Sequence, residues 1–248
     1  MKMNKLKTIL FDIETSPNIS YTWGKYEQDV IEFIEEGYIL TFAYKELGKK
    51  QIKAVSLNDF NGNEEKLVKK LWELFDDSDI LIAHNGDNFD IKWANRMFAK
   101  YNISPPSPYK TIDTLKVARQ NFKFNSNRLD DLGNYLGIGR KVKHEGFSLW
   151  KKCMAGDKKS YKDMVKYNKQ DVKLLEDIYL KLRPYMKSHP TANISPEFVC
   201  PVCGGSHIQK RGWAFTNAFM KQRLQCQSCG KWFLGQQIRY KEKNNTLK

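Results

Sequence analysis

Residues Lys7 to Ser16 read KTILFDIETS, in which a short apolar run leads directly into two acidic residues. The run favours β structure and is followed by Ser16-Pro17-Asn18, so it predicts a buried central strand that ends in a turn. Side chains two residues apart on a strand share a face, so Asp12 and Glu14 point the same way. Buried carboxylates at this spacing repel each other unless one is protonated or a divalent cation lies between them. The stretch therefore predicts a metal-binding strand, the alternative being an edge strand whose acids face water.

The composition predicts a soluble globular protein with a polyanionic partner. Of the 248 residues, 41% are hydrophobic and 28% are charged, which argues against a disordered chain. The net charge is +14, and nine basic residues against two acidic ones lie from Ser188 onward. No apolar run approaches the roughly 20 residues that cross a bilayer, and the N-terminus lacks a signal-peptide core. We therefore expect a cytoplasmic protein (in the host cytoplasm if the source is viral) that does not bind membranes.

The chain up to residue 186 alternates between strand-like and helix-like patterns. Further strands are predicted over Tyr38–Tyr44, Gln51–Leu57 and Asp79–Ala83. Helices are predicted over Glu64–Phe75, after Asp90, from Thr111–Thr114, over Asn127–Gly137 and over Lys158–Leu182. Tyr21–Gly37 is an aromatic and acidic insertion without an assigned structure, and Arg140–Lys152 is basic with Trp150 as its one apolar anchor. The pattern predicts an α/β fold with a mixed sheet.

Four of the five cysteines form two pairs, Cys200-x-x-Cys203 and Cys226-x-x-Cys229. In a chain without a secretory signal, this spacing predicts a closed tetrahedral site for one structural Zn²⁺ rather than disulfides. His207 is a less favoured substitute ligand because four thiolates already complete the site. Cys153 stands alone and is expected to be structural.

Three acidic motifs carry a resemblance to a known family. They are Phe11-Asp12-Ile13-Glu14-Thr15, the run from His84-Asn85 to Phe89-Asp90, and Tyr167-x-x-x-Asp171. In this order they resemble the motifs of the tyrosine-type DEDD (DEDDy) 3′–5′ exonucleases of the ribonuclease H-like superfamily. The chain is similar above all to the proofreading domains of family B DNA polymerases, over about residues 5 to 185.

The resemblance implies a fold, a metal centre and roles for individual residues. The fold is a ribonuclease H-like mixed five-stranded sheet flanked by helices. Two Mg²⁺ or Mn²⁺ ions would be held by the four carboxylates, with Asp12 between them, and would assist hydrolysis of a phosphodiester bond. Tyr167 would orient the attacking water. Substrate contacts would come from Thr15, Asn85 and Phe89, although a turn and a core position explain the last two equally well.

The cysteine module resembles the zinc ribbons of transposases and topoisomerases. Between Arg211 and Phe233 the module mixes cations with aromatic residues, Trp232 among them. The candidates for nucleic-acid contact are Arg211, Trp213, Lys221 and Arg223. Two alternatives remain open: the aromatic residues form the core of a small ribbon, or the ribbon binds a protein partner.

The predicted organisation is an exonuclease domain over residues 1–186, a linker over 187–198, a zinc ribbon over 199–240 and a flexible tail over 241–248. The predicted function is two-metal-ion 3′–5′ exonuclease activity, with single-stranded DNA as the preferred substrate. One alternative is an RNA-trimming exonuclease with the same core. The other is a zinc-ribbon factor that binds nucleic acid or recruits partners without catalysis.

Overall fold

The stretch KTILFDIETS forms the central strand of the larger sheet in a computed structural model of the chain. This structure describes residues 6–26, 29–142, 145–190, 199–216 and 218–239. They form two compact units, one over Lys7–Ile178 and the other comprising Leu6 and the residues from Tyr179 onward. Most of the predicted linker and all of the predicted tail lie outside the described residues, so the domain boundaries stay predictions.

Five strands form a mixed sheet in the first unit, and two more form a separate two-stranded sheet. In chain order the strands are β1 (Thr8–Thr15), β2 (Ile19–Tyr21), β3 (Glu32–Glu35), β4 (Ile39–Glu46), β5 (Lys53–Ser56), β6 (Ile80–Ala83) and β7 (Lys110–Asp113). The sheet order is β5-β4-β1-β6-β7, and β2 pairs with β3 alone. Strand β1 is antiparallel to β4 and parallel to β6, so the predicted mixed five-stranded α/β sheet is confirmed.

Six helices among the described residues complete the architecture. They are α1 (Glu64–Asp76), α2 (Asp90–Lys100), α3 (Thr114–Asn121), α4 (Leu129–Tyr135), α5 (Phe147–Met154) and α6 (Lys158–Leu182). The apolar stripe of α1 packs on the sheet, where the ring of Phe75 meets Phe11 edge-on with centroids 5.0 Å apart. Phe11 and its neighbours on β1 are buried on both faces because helices cover the sheet from both sides. None of the described helices has the length and apolarity needed to span a bilayer.

Two local expectations differ from the structure. Thr111–Thr114 was expected to open a helix, but Lys110–Asp113 forms β7 and the helix begins at Thr114, with Asp113 as its N-cap. The strand is four residues long and exists because it pairs with β6, a contact that no local pattern reveals. Helix α5 was not expected within the basic stretch, although Leu149 and Cys153, four residues apart, form its buried side.

The zinc ribbon is a three-stranded antiparallel sheet. Its strands are β8 (Ile208–Phe215), β9 (Phe219–Cys226) and β10 (Trp232–Arg239), in the order β10-β9-β8. Strands β8 and β9 form the hairpin between the two cysteine pairs, for which the sequence left room. The buried cluster at the cysteines is small and consists of Cys200, Val202 and Cys226. Met220 and Leu224 of β9 are buried as well.

Candidate functional site

Three carboxylates from two elements meet beside the central strand. Asp12 and Glu14 project from the same face of β1, and Asp171 projects from α6, where it is 1% exposed. One carboxylate oxygen of each residue lies within 4.8 Å of the others. The structure thus brings together three of the four acidic residues that the sequence singled out.

The fourth acidic residue, Asp90, contacts the backbone of the same stretch of β1. It is the first residue of α2 and is buried, and its Oδ1 accepts a hydrogen bond of 2.9 Å from the backbone N–H of Ile13. Because Ile13 lies between Asp12 and Glu14, this bond fixes the segment of β1 that carries both. Asp90 therefore joins the site through the backbone.

Burial and mutual repulsion give these carboxyl groups a high affinity for protons. Burial first, and then the charges of Glu14, Asp90 and Asp171, raise the pKa of Asp12 well above its ordinary value. Burial and the Asp171 charge raise the pKa of Glu14 to about 8. Burial raises the pKa of Asp90 to about 7, although the N–H of Ile13 opposes the rise. A cluster of acids that holds protons near neutral pH favours any cation able to replace them.

Lys141 provides a positive charge at the site and was not singled out by the sequence. Its Nζ donates hydrogen bonds to Asp171 Oδ2 at 2.5 Å and to Tyr167 OH at 3.0 Å. Burial lowers the pKa of Lys141, but the charge of Asp171 and these two hydrogen bonds outweigh burial and raise that pKa. Nothing in the basic stretch Arg140–Lys152 distinguishes Lys141 from the other lysines there, so sequence reasoning had no means of choosing it.

Tyr167 lies one turn before Asp171 on α6, and its hydroxyl remains protonated. The side chain is 8% exposed, and its ring meets Trp150 edge-on with centroids 6.2 Å apart. Burial, followed by the charge of Asp171, raises the pKa of Tyr167 to about 12, while Lys141 opposes the rise. At neutral pH the phenol can therefore donate a hydrogen bond but cannot serve as a base.

Asn168 is a second residue that the sequence did not single out. It is fully buried, and its Nδ2 donates to Asp12 Oδ2 at 2.6 Å and to Asp12 O at 3.2 Å. These bonds fix the orientation of the Asp12 carboxylate. Asn168 directly follows Tyr167 in the third motif, but no local pattern indicated that its side chain would reach Asp12 on β1.

The residues of the second motif divide between structural and exposed positions. His84 is structural: its Nδ1 lies 2.9 Å from Thr114 Oγ1 and its Nε2 lies 2.9 Å from Asn127 O. Burial lowers the pKa of His84. Asn85 has a left-handed backbone, with φ of 67°.

The N–H of Asn85 donates to Asp113 Oδ1 at 2.9 Å, so Asn85 and Asp113 tie the end of β6 to β7. Of the residues proposed to contact substrate, Phe89 is 40% exposed and offers a ring surface. Thr15 is half-buried at an irregularity where β1 leaves its regular pairing with β4. Phe89 is therefore the best placed of these residues for a nucleotide contact.

The four paired cysteines form a second candidate metal site. One sulfur of each lies within 4.8 Å of the others, and Cys200–Cys229 and Cys203–Cys226 are separated by 3.6 Å. Zn–S bonds of 2.3 Å in a tetrahedron place sulfurs about 3.8 Å apart, so this donor set fits zinc. Gly204 has φ of 71° in the first knuckle, as Gly230 has 81° in the second, which lets the backbone turn around the sulfurs.

The ribbon residues proposed to contact nucleic acid lie on two different faces. Lys221 and Arg223, two residues apart on β9, share one face with Leu234 of β10. Trp213 lies opposite Gln222 and therefore on the other face, with the buried Leu224. Arg211 is exposed at the irregular part of β8. The half-buried position of Trp213 favours the alternative that it belongs to the ribbon's core.

The exposed aromatic residue on the cationic face is Trp232. It lies opposite Gln225 of β9 and is 51% exposed. Gln225 is two residues from Arg223, so Trp232 lies on the same face as Lys221 and Arg223. The sequence placed Trp232 among the ribbon's aromatic residues but did not separate it from the others, because the faces depend on strand register.

Comparison with known proteins gives consistent matches. A family model described as RNase_H superfamily matches residues 31–183. A PolC-type DNA polymerase III from Ureaplasma parvum is 32% identical over 143 residues, which cover 49% of this chain and 9% of the polymerase. A DNA polymerase from Methanocaldococcus jannaschii is 29% identical over 134 residues, covering 51% of this chain and 7% of the polymerase. The chain thus matches less than a tenth of the length of these curated relatives.

A solved structure gives the same fold. The family B DNA polymerase from Pyrobaculum calidifontis superposes with a TM-score of 0.51 at 10% sequence identity, covering 73% of this chain and 26% of that chain. At this identity the superposition supports the fold alone. Together with the observed sheet order, it confirms the predicted ribonuclease H-like architecture.

Proposed function

The chain belongs to the RNase_H superfamily, and from that premise we propose that it is a metal-dependent nuclease that removes nucleotides from the 3′ end of a DNA strand. The observation that carries this proposal is the meeting of Asp12, Glu14 and Asp171 within 4.8 Å. Asp171 lies 157 residues after Glu14 in the sequence, and burying the three carboxylates together has a high electrostatic cost. A fold that accepts such a cost at one point is expected to use it for function.

The donor set fits Mg²⁺ or Mn²⁺. Carboxylate oxygens are the ligands that these hard cations prefer, and Asp12, Glu14 and Asp171 supply them at one place, supported by Asp90. The raised pKa values of Asp12 and Glu14 fit the same assignment, because a bound cation would offset the burial and the repulsion that now favour protonation. When bound, two such cations would activate water and stabilise the leaving oxygen of a phosphodiester.

The neighbouring side chains have roles that follow from their contacts. Asn168 fixes one oxygen of Asp12 and leaves the other for ligation. Tyr167 keeps its proton and can donate a hydrogen bond to water or to a phosphate oxygen. Lys141 balances the charge of Asp171, and its ammonium group is a protein cation available to a substrate phosphate at this point.

The proposed substrate and polarity are supported by the relatives and by the motifs. The matched proteins named above are DNA polymerases, and the three motifs resemble those of tyrosine-type 3′–5′ exonucleases. Phe89 presents a ring next to Asp90, where a terminal base can stack. We propose that the ribbon binds one Zn²⁺ and contributes a nucleic-acid contact through Lys221, Arg223 and Trp232.

One assay tests the activity, its polarity and its substrate. The full chain is incubated with matched 5′-labelled and 3′-labelled DNA and RNA, single and double stranded, with Mg²⁺, Mn²⁺ or a chelator. We expect a ladder that shortens the 5′-labelled DNA from its 3′ end and requires the added metal. Undiminished cleavage by Asp12→Ala, or equal cleavage in the chelator, would overturn the proposal. Faster cleavage of RNA than of DNA would transfer it to the RNA-trimming alternative.

A further inference from the structure

The insertion between β1 and β4 exposes large apolar side chains. We call residues 18–37 the arm; its strands are β2 and β3, and residues 27 and 28 within it are not described. Eight of the arm's described large hydrophobic side chains are at least 39% exposed, namely Ile19, Tyr21, Trp23, Tyr26, Val30, Ile31, Phe33 and Ile34. An apolar surface of this kind marks a site of interaction.

The arm begins at the carboxylate site. Ser16, two residues after Glu14, closes its root: Ser16 N donates to Tyr38 O at 2.8 Å, and Tyr38 N donates to Ser16 Oγ at 2.9 Å. A second contact, from Gly37 N to Asn18 Oδ1 at 2.7 Å, completes the closure. Because five residues span at most about 18 Å, the first residue of β2 stays close to Glu14. The root of the arm therefore lies near the metal site.

The root is also fixed to the helix that carries Asp90. Glu36 forms an ion pair with Arg96 of α2, and the Arg96 guanidinium lies 4.8 Å from the ring centroid of Trp93. A Cβ atom at Gly37 would lie 2.9 Å from the Trp93 ring, so the arm's root packs directly on that ring. Trp93 in turn lies 6.3 Å from the ring of Phe89. A continuous aromatic surface therefore links the arm's root to the exposed ring beside Asp90.

The tip of the arm has the composition of a nucleobase contact. Trp23 is 86% exposed and Tyr26 is 87% exposed, and between them Lys25 places its Nζ 5.6 Å from the Tyr26 ring centroid. Exposed rings beside a cation can stack on bases while the cation meets a phosphate.

The paired strands β2 and β3, the stem of the arm, lie in a segment that is acidic overall, opposite in charge to Lys25 at the tip. Residues 18–37 contain five acidic residues and one lysine in a chain with net charge +14. Phosphates along the stem would be repelled, whereas neutral base faces at the tip are not. A strand can therefore meet the arm through its bases, which must be unpaired to expose their faces.

We infer that Trp23 and Tyr26 form a stacking site for unpaired bases of the strand whose 3′ end enters the carboxylate site. The inference rests on the proposed function for the identity of the site, but it predicts a binding property of the arm that is measured without catalysis.

The test measures binding by fluorescence anisotropy with Mg²⁺ and Mn²⁺ omitted and no chelator added, so that no strand is cut and the ribbon keeps its proposed Zn²⁺. The probes are a labelled single-stranded DNA oligonucleotide and the same oligonucleotide with abasic residues at its last four 3′ positions. The proteins are the full chain, the double variant Trp23→Ala/Tyr26→Ala, the double variant Trp23→Phe/Tyr26→Phe, and Tyr135→Ala. Tyr135 is a 73% exposed tyrosine on α4 that serves as a matched control.

We expect the alanine double variant to raise the Kd for the base-bearing DNA about tenfold or more, the scale of one or two lost stacking contacts. The abasic probe should bind the unaltered chain at least as weakly as the base-bearing probe binds that variant, because it also lacks the terminal base proposed to stack on Phe89, and the variant should not weaken its binding further. The phenylalanine double variant, which keeps an aromatic ring at each of the two positions, should bind like the unaltered chain. Tyr135→Ala should do the same. The salt dependence of binding should be unchanged, because stacking releases no counterions.

Three results would overturn the inference. The first is an unchanged Kd for the alanine double variant. The second is an equal loss of affinity of that variant for base-bearing and abasic DNA. The third is a fall in the molecular mass of that variant in solution, relative to the unaltered chain, without a change in Kd. The last would identify the arm as a contact between copies of the chain. If the cleavage assay shows no activity but the anisotropy assay gives the expected base-dependent binding, the proposed function fails and the arm's contact with bases stands.

Discussion

The two candidate metal sites are built in opposite ways. The thiolates of the ribbon come from two knuckles whose ligands are three residues apart, and the buried cluster around them contains little besides the cysteines. The carboxylates come from β1 and α6. Asn168 donates a hydrogen bond to Asp12, Lys141 donates one to Asp171, and the N–H of Ile13 donates one to Asp90. From this contrast we propose that a bound Zn²⁺ would supply folding free energy to the ribbon, whereas the carboxylate site is assembled by the fold and would use its cations for function.

The strongest test of this contrast is removal of the zinc. A structural zinc site is worth on the order of 10 kcal/mol of folding free energy, so Cys226→Ser or a strong chelator should unfold the ribbon. The unit over Lys7–Ile178 should stay folded, because its core does not depend on that metal. Backbone amide exchange resolved by residue measures both; Ser228→Ala is the control. Protected ribbon amides without zinc would contradict the comparison.

The next test is the pH dependence of stability without divalent cations. The folded pKa of Glu14 is about 8 against an ordinary value of 4.5, so the unfolded chain releases this proton first as pH rises. Stability is therefore unaffected below about pH 4.5 and falls as the pH rises toward 8, by a few kcal/mol at the top, on the order expected for such a shift.

Urea unfolding at pH 5, 6, 7 and 8 measures this fall. Glu14→Gln should flatten it, whereas the exposed control Glu65→Gln on α1 should not. Addition of Mn²⁺ at pH 8 should restore the lost stability. A metal-free chain that becomes more stable between pH 5 and pH 8 would mean that the carboxylates are not strained in the way we describe.

A smaller effect is expected from the residue that orients Asp12. Asn168→Ala removes both hydrogen bonds to Asp12 and should lower the cleavage rate about 10- to 100-fold, the range seen when a hydrogen-bonding partner of a metal ligand is lost. The measurement is single-turnover cleavage over a series of Mn²⁺ concentrations. Gln170→Ala, on the same helix, should cleave normally. Equal rates for Asn168→Ala and the unaltered chain would remove its positioning role.

The smallest effect is expected at the cationic face of the ribbon. Lys221→Ala and Arg223→Ala should each reduce the slope of log Kd against log salt by about one, with less than tenfold loss of affinity. Lys210→Ala, on the opposite face, is the matched control. If all three variants share one slope, the ribbon's contact with nucleic acid lies elsewhere or the ribbon binds a protein.

Strong local patterns made part of the molecule predictable. Three patterns depend only on neighbours along the chain: the apolar run of β1, the 3.6-residue stripe of α1 and the cysteine spacing. The structure contains the strand, the helix and the cysteine cluster at the residues that these patterns indicated. The long helix over Lys158–Leu182 was predicted with its observed ends. Strand β7 was not, because its four residues form a strand only by pairing with β6.

The supporting residues of the site were unpredictable for a related reason. Lys141 differs from the other lysines of its stretch only in what it meets in three dimensions, namely Asp171 and Tyr167. The sequence also gave no reason to expect that Asp90 acts through the backbone of Ile13. Trp232 and Trp213 look alike in sequence, and strand register alone separates them onto different faces.

The central claim is that the carboxylates bind divalent cations, and Mn²⁺ titration by calorimetry at pH 8 tests it most directly. We expect the unaltered chain to bind Mn²⁺ at the site formed by Asp12, Glu14 and Asp171, and Asp12→Asn, a nearly isosteric change that preserves the contact with Asn168, to lose that binding while remaining folded. Equal Mn²⁺ binding by the two proteins would contradict the account.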